Sequence, residues 1–145
     1  MFDKDTTELF NELKKDSSIK NFLESNQSER KLPLHEYLNQ LLRDKNLKKS
    51  EIIEEATVIE TFEPAHLYHI FSGSKNPSRD SLIVIARAMK LNLDETQYLL
   101  RYGNFGILYP RNPRDAILIS AIEKNLSVKD TNDLLDSLGE KSLVK

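Results

Sequence analysis

Between residues 32 and 46, Leu34, Tyr37, Leu38, Leu41 and Leu42 recur at spacings of three and four. That spacing is the apolar stripe of an amphipathic helix, and Pro33 suits its first turn. Ile52, Ile53 and Ala56 mark a shorter helix over 48–57. Leu67 and Ile70 mark a third over 63–72, with Pro64 at its first position and Gly73 at its stop. Ser78 caps a fourth helix reaching residue 90, with Asp80 in its first turn and Leu82, Ile85, Ala86 and Met89 inward. A fifth covers 92–102, capped by Asn92 or Asp94, with Leu93, Tyr98, Leu99 and Tyr102 as its apolar positions. Two more cover 113–124 and 127–138, the last capped by Ser127 and stopped by Gly139.

The segments between and before them read differently. Leu9, Phe10, Leu13, Ile19, Phe22 and Leu23 predict two short helices within 3–25, parted near Asp16 and followed by a polar link over 26–31. Residues 58–62 read as an extended connection. Residues 103–113 form a loop whose Phe105, Ile107, Leu108 and Tyr109 must pack or leave an exposed apolar patch. The predicted organisation is a helical extension over 1–30, a five-helix domain over 31–104 and a C-terminal helical pair over 105–145 packed on it. No low-complexity stretch or internal repeat interrupts the series. With 4 Gly and 5 Pro the chain is short of tight-turn residues, so the fold class is all-α.

Composition narrows the function. At 145 residues, 39% hydrophobic and 30% charged, the chain suits one soluble globular domain. No apolar run nears the roughly 20 residues that span a bilayer. No basic-then-apolar leader opens the sequence, which points to the cytoplasm. The absence of cysteine excludes disulfides, thiolate metal sites and a cysteine nucleophile. Net charge is -2, and 31–110 balances ten basic against ten acidic residues, so no strong basic field marks a nucleic-acid binder. No nucleophile elbow, P-loop or dinucleotide fingerprint occurs, and an enzyme is not expected. His66 and His69 lie three apart with His35 elsewhere, too few ligands for a metal; no metal or cofactor is expected.

The run from Leu47 to Ala56, then Leu67, Ile70 and Gly73, then Lys75-Asn76-Pro77-Ser78 and Leu82, Ile85, Ala86, Met89 and Leu93 resembles the lambda-repressor-like (XRE-type) helix-turn-helix family. The LYPRNPRDAILISA segment further resembles a subgroup of small stand-alone bacterial helix-turn-helix proteins, some of them similar to accessory partners of serine/threonine kinases. The resemblance implies a DNA-binding transcriptional regulator, dimeric on duplex DNA, whose third helix enters the major groove. It implies DNA contacts from Lys48, Lys49 and Ser50 at the second helix, from His66 and His69 on the third, and from Ser74, Lys75, Asn76 and Arg79 after it.

The chain departs from that pattern at informative places. The stretch Thr57–Phe62 makes the turn longer by about four residues, Lys49 stands where the family usually has Gln, and Phe71 where it usually has an acid. Residues 63–72 contain no Arg, Lys, Asn or Gln, the side chains that read base edges best, and Glu60 and Glu63 would face phosphates. These departures favour an alternative: a protein-interaction adaptor, inhibitor or antitoxin on a helix-turn-helix scaffold, docking through Val58, Ile59 and Phe62. Tyr68 and Phe71 are expected to pack against the 105–109 loop. Arg111 and Arg114 are open between phosphate binding and pairing with neighbours such as Asp115, as Arg79 is with Asp80.

Overall fold

The structure, a computed structural model, describes residues 32–58 and 63–143. The two helices expected within 3–25, the link after them and all but Val58 of the extended connection lie outside the described residues. Among the described residues are seven helices and no strand: α1 (Leu34–Asp44), α2 (Lys49–Ala56), α3 (Pro64–Ser72), α4 (Arg79–Ala88), α5 (Leu93–Tyr102), α6 (Pro113–Glu123) and α7 (Val128–Ser137). They belong to one compact unit, Leu34–Lys145. None is long and apolar enough to cross a membrane.

The core is organised by α4. Only its first-turn residues Arg79 and Asp80 escape full burial; Ser81 through Ala88 are buried on every side. A helix buried all round can only sit in the middle, and α2, α5 and α7 pack around it. Burying each large aliphatic side chain contributes about 1.5–3 kcal/mol, so α4 is the main hydrophobic contributor. Helix α1 turns Leu38 and Leu42 inward, α2 turns Ile52, Ile53 and Ala56, and α3 turns Leu67, Ile70 and Phe71. Ser78, Asn92, Asn112 and Ser127 each accept a backbone N–H with the side chain, Asn92 completing a capping box with Glu95. Lys48 in front of α2 supplies no such cap.

The loop after α5 does pack, through buried Leu108 and half-buried Phe105. Leu108 is buried, and the Gln97 amide grips its backbone twice: Nε2 donates to the carbonyl at 2.9 Å and Oε1 accepts the N–H at 2.8 Å. Ile107 and Tyr109 remain 44% and 56% exposed.

The expectation that the chain lacks an internal repeat is corrected. Residues 79–104 and 114–139 align at a constant offset of 35, with Arg, Asp, Ala, Leu, Thr, Leu and Leu identical at 79, 80, 86, 91, 96, 99 and 100. The backbone follows the same offset. Leu91 N donates to Ala86 O at 3.0 Å and Leu126 N to Ala121 O at 2.9 Å. Lys90 and Asn125 turn the chain at φ 60° and 52°, and Asn104 and Gly139 at φ 64° and 75°. The Thr96 and Thr131 hydroxyls donate to the carbonyls of the N-cap residues Asn92 and Ser127 at 2.8 and 2.7 Å. Hairpins α4–α5 and α6–α7 are therefore two versions of one unit, and α6 begins one residue earlier with Pro113.

Candidate nucleic-acid interface

Helix α3 is positioned from both ends. Pro64 occupies its first turn, where a missing N–H costs nothing. Gly73 ends it in the left-handed conformation at φ 85°, and a Cβ there would lie 2.7 Å from the His35 ring, so only glycine allows the close approach of α1. Asn39 on α1 donates to the Phe71 carbonyl at 2.9 Å and so ties the end of α3 to α1. With Leu67, Ile70 and Phe71 buried, the opposite side presents Ala65, Tyr68, His69 and Ser72.

The expected site residues fall into three groups. Lys48, Lys49 and Ser50 stand at the start of α2; Lys48 and Ser50 are exposed, while Lys49 is half-buried with its ammonium 5.7 Å from the centre of the Phe71 ring. That contact brings the start of α2 to the end of α3. At the end of α3, His69 Nδ1 lies 3.0 Å from Ser74 Oγ, which lies 3.1 Å from Ser72 Oγ. Lys75 and Asn76 follow, both exposed, and His66 is half-buried one turn before His69.

Arg79 is placed elsewhere. Its guanidinium holds Asp115 through two bonds of 3.2 and 3.1 Å and donates to the carbonyls of Gly106 and Ile107 at 2.9 and 3.1 Å. It staples the 105–109 loop to α4 and α6 rather than joining the lysines. The open question about Arg114 has a parallel answer. It pairs not with its neighbour Asp115 but with Asp80, at 2.9 and 3.0 Å. A shallow cleft of about 380 Å³ between Ser78 and Leu143 is lined by Arg79 and Asp80, both already paired.

Tyr68 and Phe71, both expected to pack against the 105–109 loop, differ: Tyr68 is 47% exposed on the same side as His69, whereas Phe71 is buried. Ser72 and Tyr68 are the surface residues of α3 missed from the sequence. The inward pair Leu67 and Ile70 was signal enough to find them, because at helical spacing it leaves 68 and 72 outward.

On the far side of α1, Tyr37 stacks on Tyr102 with ring centres 4.2 Å apart and meets Tyr98 at 5.7 Å. Burial, helped by the neighbouring tyrosines and by Glu95 and Asp44, pushes the Tyr37 phenol up to about 12. No group of three or more His, Asp or Glu side chains able to hold a metal ion occurs among the described residues. Comparison with protein-family models, with curated proteins and with solved structures finds no match for this chain.

Proposed function

We propose that the protein is a DNA-binding regulator of helix-turn-helix type that lays α3 against duplex DNA. The observation carrying this reading is the exposed side of α3 flanked by Lys48, Lys49 and Ser50 before it in space and Lys75 and Asn76 after it, joined by the Lys49–Phe71 contact. Lysines at the rim of a groove helix suit phosphates, and the start of α2 adds amide donors and the positive end of a helix dipole. His69, Ser72 and Tyr68 face where bases would lie. Ser and His are modest base readers, so affinity in this reading comes mainly from the backbone and selectivity is low.

The test is selection from a random duplex pool at low salt, followed by titration of a recovered duplex at rising salt. Binding should weaken steeply, each lost lysine–phosphate contact flattening the log–log slope by about 0.9. Lys75→Glu should abolish it while leaving the fold intact. A flat salt dependence, or binding that Lys75→Glu leaves unchanged, removes the proposal. The adaptor reading rests on Val58 and Tyr68, 49% and 47% exposed. It gains ground if selection is empty while Tyr68→Ala, still folded, loses a co-purifying protein.

A further inference from the structure

The reciprocity between the two hairpins goes further than their shared sequence positions. Arg79 of the first pairs with Asp115 of the second, and Arg114 of the second pairs with Asp80 of the first. Under the offset of 35, Arg79 corresponds to Arg114 and Asp80 to Asp115, so the two ion pairs are one contact made twice. Packing repeats the pattern: α4 lies on α7, and α5 lies on α6. Contacts in which residue i of one unit meets j of the other, and j meets i, are the signature of an isologous two-fold interface.

Arg87 bridges the turns of the two hairpins. It is 1% exposed, and its guanidinium donates to the carbonyl of Leu91 and, at 3.0 Å, to that of Leu126. Leu91 and Leu126 are equivalent positions in the two turns. Both acceptors are backbone carbonyls rather than carboxylates, each lying just past the C-terminal end of α4 or α6, where the helix dipole favours positive charge. Burial lowers its pKa from the usual guanidinium value. The position equivalent to Arg87 is Ile122. Arginines at both positions would bury two like charges for one pair of carbonyls, and isoleucines at both would leave those carbonyls without this donor.

We infer that α6–α7 is an internal second copy of α4–α5, filling within one chain the two-fold face that a second copy of this chain would otherwise occupy. The single Arg87, with Ile122 at the equivalent position, makes the pairing one of unlike halves. Like halves, first on first or second on second, would carry two buried cations or none. The chain is therefore monomeric through this face, and any assembly on DNA uses another surface. The inference does not depend on DNA binding.

The experiment exchanges the two equivalent residues, Arg87 and Ile122, in the full chain. Arg87→Ile and Ile122→Arg are made singly and together, and each protein is unfolded in urea and sedimented. Each single change should lower the unfolding midpoint. The double exchange should recover about half or more of the sum of the two losses, because an arginine at 122 meets the same two carbonyls from the opposite hairpin. Failure of a single variant to fold leaves the comparison intact, since a folded double variant is then the expected rescue. A double variant with additive losses, or one that does not fold, overturns the two-fold equivalence. Sedimentation should give a monomer for the wild-type chain. A wild-type dimer that Tyr109→Glu leaves intact but Arg114→Ala disrupts places the contact on this face and overturns its internal closure; any other result leaves the face internally filled.

Discussion

Arg79 and Asp115 meet 36 residues apart in a two-point ion pair, and Asp115 also accepts the Tyr109 N–H at 3.0 Å. One carboxylate thus gathers α4, α6 and the loop between hairpins. The Asp115 side chain is 8% exposed and that of Arg79 28%. A charge so placed depends on its partner, because stranding a buried carboxylate costs more than the pair itself contributes.

Arg79→Ala should therefore lower the unfolding free energy by about 2 kcal/mol, the scale of charge-assisted hydrogen bonds. Asp115→Asn should act similarly, and the double variant should lose less than the sum. Urea unfolding of the four proteins measures the coupling. Duplex affinity of the folded Arg79→Ala protein should be unchanged, which separates this arginine from Lys75. Equal loss of affinity in both would return Arg79 to the DNA face.

Gly73→Ala should destabilise by about 2 kcal/mol or more, since the left-handed conformation alone costs a non-glycine residue about 1–2 kcal/mol and the added Cβ meets the His35 ring. Adding His35→Ala should restore the steric share but not the conformational share. Thermal unfolding of the two variants tests that partition, and full additivity would show that the close approach to His35 is relaxed at no cost.

Most of the fold was legible because helices announce themselves by period and caps. Ser78 and Ser127 cap where the sequence placed them, Asn92 rather than Asp94 caps α5, and Gly73 and Gly139 stop their helices with positive φ. The partners of Arg79 and Arg114 were not legible. Sequence proximity suggested Asp80 and Asp115 in the wrong combination, and only the crossing of two distant first turns exchanges them. The repeat escaped because core positions vary in kind (Leu82 against Ile117, Val84 against Ile119), while its two most informative markers, the left-handed residues, are Lys90 and Asn125. A lysine at positive φ has no sequence signature. The surface of α3 could be read by subtraction from its core positions; its chemistry, poor in base-reading side chains, leaves partner choice to experiment.

The tyrosine group gives a pH dependence with a definite sign. The folded chain holds the Tyr37 proton to about 12, against an ordinary value of 10.0. Between those values the unfolded chain binds fewer protons than the folded one, so stability falls as pH rises. The contribution is present in full below pH 10 and is lost on the way to about 12. Tyr37→Phe should flatten the stability profile across this interval relative to wild type. Tyrosinate absorbance should show one late-titrating phenol that the variant lacks; matching profiles in both proteins would exclude Tyr37 as the source.

Lys48 joins stability to the proposed function. It occupies the N-cap of α2 without offering the helix an acceptor, while Glu51 stands three residues on. Lys48→Ser would set a hydroxyl ahead of that glutamate in the spacing of a capping box. The gain expected is about 1 kcal/mol, the usual worth of a side-chain cap. The same change removes one cation from the proposed phosphate-facing rim, so duplex affinity should fall while the urea midpoint rises, and the salt slope should flatten by about 1. A protein that becomes more stable and binds duplex as before would show that the start of α2 faces solvent. A protein that gains no stability would show that Lys48 is already serving the helix in another way. Opposite movement of the two measurements is the outcome that ties the missing cap to DNA.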